Sequence, residues 1–174
     1  MESLKYLAPI AALIGLIVAL LLANWVKSRP EGADRMKEVS GFIRTGAMAF
    51  LKREYKYMAV VIAVLVVVLG FAISWISALL YLIGALFSVL AGYFGMNVAT
   101  WGNVRTANAA NEHGMPAALK VAFRSGAVMG LCVAGLGLLG LGVVFIVLGI
   151  DKADVITGFG LGASSMALCG RGGG

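Results

Sequence analysis

The 174-residue chain alternates long uncharged stretches with short charged ones. No Asp, Glu, Lys or Arg occurs in residues 6–26, 57–104 or 125–150. A helix needs about 20 apolar residues to cross the hydrocarbon core of a bilayer. The pattern therefore predicts single spans over about 7–26 and 126–148. The longest stretch predicts two spans, about 57–75 and 79–100, joined by a tight turn. A shorter apolar run, about 155–171, predicts a fifth span with Arg171 at its end. The expected fold class is all-α: a polytopic transmembrane helix bundle of about five spans. Residues 1–174 would then be part of one membrane domain and of a larger bundle.

The charged stretch 27–56 has a pattern of its own. Pro30 opens it, and Met36, Val39, Ile43, Ala47 and Phe50 recur at steps of three and four. That is helical spacing. It continues into the second span without a break, so one long helix is expected, with segment 31–56 outside the membrane. Glu31 and Arg35 are placed to pair at i, i+4. Glu31, Asp34 and Glu38 could form an acidic metal patch, but Arg35 and Lys37 stand among them and favour a solvated helix face.

Small residues recur at four-residue steps inside the spans: Ala11, Gly15, Ala19 and Ala23; Ala91, Gly95 and Ala99; Gly126, Gly130 and Ala134. Lipid gives helices no hydrophobic reason to associate, so close backbone packing must do it. These faces are expected to seek partner helices. "GLGLLG" at Gly135–Gly140 matches the spacing of a dinucleotide fingerprint. No strand precedes it and it falls mid-span, so it reads as packing. "GRGGG" at the chain end lacks the Lys-Ser/Thr of a phosphate loop.

Composition changes the picture in two ways. The chain is 61% apolar and 13% charged, whereas soluble domains are about half apolar and a quarter charged. The net charge of +6 would suit nucleic acid, but the basic residues flank spans instead of forming a patch, which excludes that partner. Eight lie in 27–56, three in 105–124, and Arg171 follows, against Lys5 and Lys152 on the other side. By the positive-inside rule, segments 27–56 and 105–124 are cytoplasmic and the N-terminus is outside. The first span has a longer apolar core than a signal peptide and a reversed charge bias, so it is expected to be retained. Cys132 and Cys169 lie in apolar runs without metal-ligand spacing and read as packing residues. His113 falls in a polar loop and reads as solvated.

Four stretches then carry a resemblance: "EGADRMKEVSGFIRTGAMAFLKREYK" (31–56), "AGYFGMNVATWGNVRTANAA" (91–110), "ALKVAFRSGAVMGL" (118–131) and "GFGLGASSMALCGRGGG" (158–174). In order and spacing they are similar to the N-terminal part of the membrane-bound, ion-pumping pyrophosphatases. The resemblance implies a homodimeric pump with many more helices per subunit, which hydrolyses pyrophosphate with Mg2+ and moves protons or sodium ions. A K+ requirement stays open, as does the choice of ion. It implies that the pyrophosphate and Mg2+ ligands begin just after the glycine triplet, so that none is expected in residues 1–174. The fifth helix would be an inner one. Arg171 matches the position of an arginine in the charged network between the hydrolytic site and the ion gate. From the residues alone, Arg171 reads as an ordinary cytoplasmic flank residue that snorkels to the interface, and only the resemblance favours the network role. The family usually has Phe-Ala-Arg-Val before its glycines, where this chain has Cys169, Gly170, Arg171 and Gly172. The chain is thus expected to be an N-terminal portion, inactive by itself. The competing expectation is a small non-enzymatic membrane assembly or channel subunit.

Overall fold

The computed structural model describes the backbone of residues 6–149 and 153–172, and the side chains of residues 6–149 and 156–167. Five helices follow one another: α1 (Leu7–Lys27), α2 (Asp34–Ala72), α3 (Trp75–His113), α4 (Met115–Leu148) and α5 (Ala153–Gly172). The first four are long and apolar enough to cross a membrane. The predicted helix bundle is observed, and the predicted fifth span falls in the 20-residue α5.

The helices outrun the spans. α2 and α3 have 39 residues each, about 58 Å at 1.5 Å per residue, against a hydrocarbon core of about 30 Å. The excess is the charged first half of α2 and the polar end of α3. Segment 105–124 is helical on both sides of a single break, Gly114, whose φ of 78° ends α3, and Pro116 lies in the first turn of α4. His113 is therefore the last residue of α3, not part of a loop, though it is exposed as expected. Between α2 and α3 the turn is Ile73–Ser74, where the Ser74 hydroxyl accepts from the Ser77 N–H at 3.1 Å and caps α3.

α3 is the centre of the bundle. It packs on α4, α5 and α2, while α1 packs mainly on α4. Burial follows seven-residue steps: Ala12, Ala19 and Val26 on α1, Ser77, Gly84, Ala91, Val98 and Arg105 on α3, and Val121, Val128, Gly135 and Gly142 on α4. Alternating steps of three and four keep one seam facing the neighbour. A strict four-residue row instead rotates about 40° per step and leaves the seam. This corrects the expected small-residue faces. Ala19, Ala91 and Gly95 are buried, but Ala11 and Ala99 are exposed. A Cβ at Gly126 or Gly130 would meet nothing within 4 Å, and Ala134 is exposed.

The core has two regions of note. Ala19, Ala91, Val98, Val128 and Cys132 join α1, α3 and α4, so Cys132 packs as expected. The side chain of Cys169 lies outside the described residues. Leu80, Val144 and Phe159 join α3, α4 and α5, with Phe87 edge-on to Phe159 at 6.1 Å.

Candidate functional site

The one residue predicted to act in coupling, Arg171, belongs to the last turn of α5; its side chain lies outside the described residues. What the structure shows is how α5 is seated. A Cβ at Gly162 would meet the Tyr81 carbonyl oxygen, and one at Gly84 would meet the Phe159 carbonyl oxygen. A Cβ at Gly158 would lie 2.7 Å from the Ser77 carbonyl oxygen. Backbone thus lies directly on backbone along the α3–α5 contact, and only glycine permits it. One polar pair fixes the register. The Ser165 hydroxyl donates to the Leu161 carbonyl at 2.7 Å, so the Tyr81 hydroxyl donates to Ser165, at 2.9 Å. The signal was present in the sequence as Gly158-x-x-x-Gly162, a motif obscured by the interleaved Gly160.

A second constellation lies at the basic end of the bundle. Arg105 is buried, and its guanidinium donates to the carbonyls of Trp101 (2.9 Å), Arg29 (3.0 Å) and Lys27 (3.1 Å) and to Glu31 Oε1 (2.8 Å). It satisfies carbonyls that the end of α1 leaves open. Glu31 precedes α2, so the expected Glu31–Arg35 pair does not form; Arg35 turns to Glu38 at 3.3 Å and Lys37 to Asp34 at 3.0 Å. A Cβ at Gly32, with φ of 85°, would strike Asn108 Oδ1, so the chain passes close over α3 here. Two indoles gather four further cations. Trp25 has Arg29 at 4.4 Å and Arg124 at 3.9 Å from its ring centre; Trp101 has Lys27 at 5.3 Å and Arg44 at 5.6 Å. Arg105 entered the sequence reading only as one of the topology charges.

A third group is Glu54, at the foot of the second predicted span. Its Oε1 is buried without a hydrogen-bond partner among the described residues. Desolvation raises its pKa above the ordinary carboxyl value. The neighbouring Tyr55 hydroxyl donates to the Val89 carbonyl at 3.0 Å.

The sequence motifs resolve in the same terms. Gly135 lies against Leu16 of α1, and Gly140 against Phe159 and Phe87. "GLGLLG" therefore sits inside α4 as a packing surface. The acidic residues Glu31, Asp34 and Glu38 each face a cation, Arg105, Lys37 and Arg35 respectively. They do not suit Mg2+, which needs converging carboxylates, and no three His, Cys, Asp or Glu gather among the described residues.

Comparison with known proteins places these features. The family model described as "Inorganic H+ pyrophosphatase" matches residues 13–174. The chain belongs to that family. It is 48% identical over 174 residues to a putative K+-stimulated pyrophosphate-energized sodium pump of Clostridium tetani. It is 43% identical over 176 residues to a K+-insensitive pyrophosphate-energized proton pump of Methanosarcina mazei, and 38% identical over 193 residues to a K+-stimulated sodium pump of Thermotoga maritima. These alignments cover 99–100% of this chain and 26% of each relative, so the chain spans about a quarter of their length. Within the inorganic H+ pyrophosphatase family, the glycine-seated α5 and the Arg105 node both fall in the matched region.

Proposed function

We propose that residues 1–174 are the N-terminal membrane segment of a pump that couples pyrophosphate hydrolysis to the movement of protons or sodium ions. The observation that carries this is alignment of the whole chain to pyrophosphate-energized pumps that transport one or the other ion. Sodium and proton pumps align almost equally well, and K+-stimulated and K+-insensitive ones do too, so similarity over this segment does not choose between them. The segment's work is to build a rigid wall and to seat α5. Hydrolysis, with Mg2+ polarising the phosphates, belongs to acidic residues elsewhere in the pump: Glu31, Asp34 and Glu38 face cations, and no three His, Cys, Asp or Glu gather among the described residues. The active pump is a homodimer, and segments 27–56 and 105–124 face the cytoplasm.

Arg171 is the residue assigned to coupling. A guanidinium costs about 2.5–3.5 kcal/mol at a helix centre on insertion scales and less near the end of a span, where Arg171 lies, and an acidic partner on a neighbouring helix offsets that. The rigid α3–α5 contact supports this reading, since a coupling residue must be held in place. Lys would reproduce the bidentate geometry poorly. In the full-length protein, Arg171→Lys should lower ion transport in sealed vesicles, with the KM for magnesium pyrophosphate changed little. Hydrolysis, its KM and transport are measured on one preparation. A large rise in KM with transport per turnover intact would refute the assignment.

A further inference from the structure

At the basic end of the bundle, a cleft of about 180 Å3 opens between the end of α1, the end of α3 and the start of α4. Its walls include Trp25, Arg29, Glu112 and Lys120, with the buried Arg105 behind them. Arg105 is neutralised by Glu31. Arg29 and Lys120 are not: the three ion pairs among the described residues use Arg35, Lys37 and Arg105. Arg124, one helical turn beyond Lys120, stacks on the other side chain of this wall, Trp25, and is likewise without a carboxylate. Glu112 is the single carboxylate among the lining residues not already paired. The cleft therefore holds a net positive charge, because Arg29, Lys120 and the adjoining Arg124 outnumber Glu112.

Its depth in the membrane follows from the spans. Trp25 ends the first predicted span and Arg124 stands two residues before the fourth. Indole rings and flanking cations settle at the level of the lipid headgroups, and basic pockets between helices at that level take phosphate-bearing headgroups. We propose that this cleft binds the phosphodiester headgroup of an anionic phospholipid, with Arg29 and Lys120 on the phosphate oxygens. The site goes beyond pyrophosphate hydrolysis and requires only that α1 and α4 span the membrane. Free phosphate or pyrophosphate shares the chemistry, but the cleft opens at the bilayer edge and only a lipid would be held there by its acyl chains as well.

Native mass spectrometry of the full-length protein in detergent tests this, with phosphatidylglycerol and phosphatidylcholine as probes. Phosphatidylglycerol should be retained in preference to phosphatidylcholine, and excess inorganic phosphate or pyrophosphate should not displace it. Each surface charge near an anionic lipid is worth about fivefold, so Lys120→Gln should weaken retention about fivefold and Arg29→Gln/Lys120→Gln about thirtyfold. Lys120→Arg should retain the lipid. The control is Lys52→Gln/Lys56→Gln, which removes the same charge from α2, a helix that packs on neither α1 nor α4. It should change retention less than about twofold, since the charges are screened over roughly a Debye length. Equal losses in the control and the cleft variants would mean diffuse attraction and overturn the proposal. So would unchanged retention in Lys120→Gln, loss in Lys120→Arg, or displacement by free phosphate or pyrophosphate.

Discussion

A guanidinium can be buried at the end of a helix only if its donors are used, and Arg105 uses them on three carbonyls and a carboxylate. Charged hydrogen bonds of this kind are each worth about 1.5–3 kcal/mol. Arg105→Lys keeps the charge but loses the fork, and thermal unfolding of the purified protein should show a loss of that order. Glu31→Gln should cost less than about 1 kcal/mol, because the Glu31 side chain is 42% exposed. Glu54 works in the opposite sense. Its raised pKa means that the folded state prefers the protonated form, so stability falls as pH rises above the ordinary glutamate value of about 4.5. Glu54→Gln should therefore raise the melting temperature near pH 7.5, and the gain should vanish near pH 4. A loss at pH 7.5 would instead mean that a cation outside residues 1–174 holds the carboxylate. Neither role was legible in the sequence. Arg105 and Glu31 are 74 positions apart, and their pairing depends on where α1 stops relative to α3.

At the scale of elements, neighbouring glycines of α5 carry opposite expectations. A Cβ at Gly162 would meet backbone of α3, while one at Gly160 would meet nothing within 4 Å. Gly162→Ala should destabilise by about 1–3 kcal/mol through overpacking. Gly160→Ala should be neutral or gain up to about 1 kcal/mol from helix propensity. Comparing melting temperatures of the two variants measures this directly, and equal effects would remove the α3–α5 contact from the account. The sequence showed which stretches are helices but not which glycines pack. Charge-free length marks where apolar sequence begins and ends, so the helices long and apolar enough to cross a membrane were legible from residue counts. It does not mark where a helix ends, because hydrogen bonding inside the helix continues into water. α3 therefore runs to His113, well past the predicted limit at 100. Four-residue spacing suggested the small faces, yet the observed seams follow seven-residue steps. Gly130 and Ala134 lie off them because a straight row of fours turns away from its neighbour.

Across the whole molecule, the ends of α1 and α3 and the starts of α2 and α4 share one end, and the Trp25 and Trp101 clusters tie their cations together. If that end is cytoplasmic, a cysteine placed at Ser3 should react with an impermeant thiol reagent added outside cells, and one at Asn111 should not. The reverse labelling would invert the topology and move Arg171 to the wrong side for coupling to a cytoplasmic hydrolytic site. Whether this segment serves a pyrophosphate-driven ion pump is tested most directly by ion accumulation by the full-length protein in sealed vesicles, after pyrophosphate and Mg2+ are added to the face bearing residues 27–56. A proton or sodium gradient that builds with hydrolysis and collapses with the matching ionophore is the expected result. Hydrolysis that moves neither ion, or no hydrolysis at all, would contradict it.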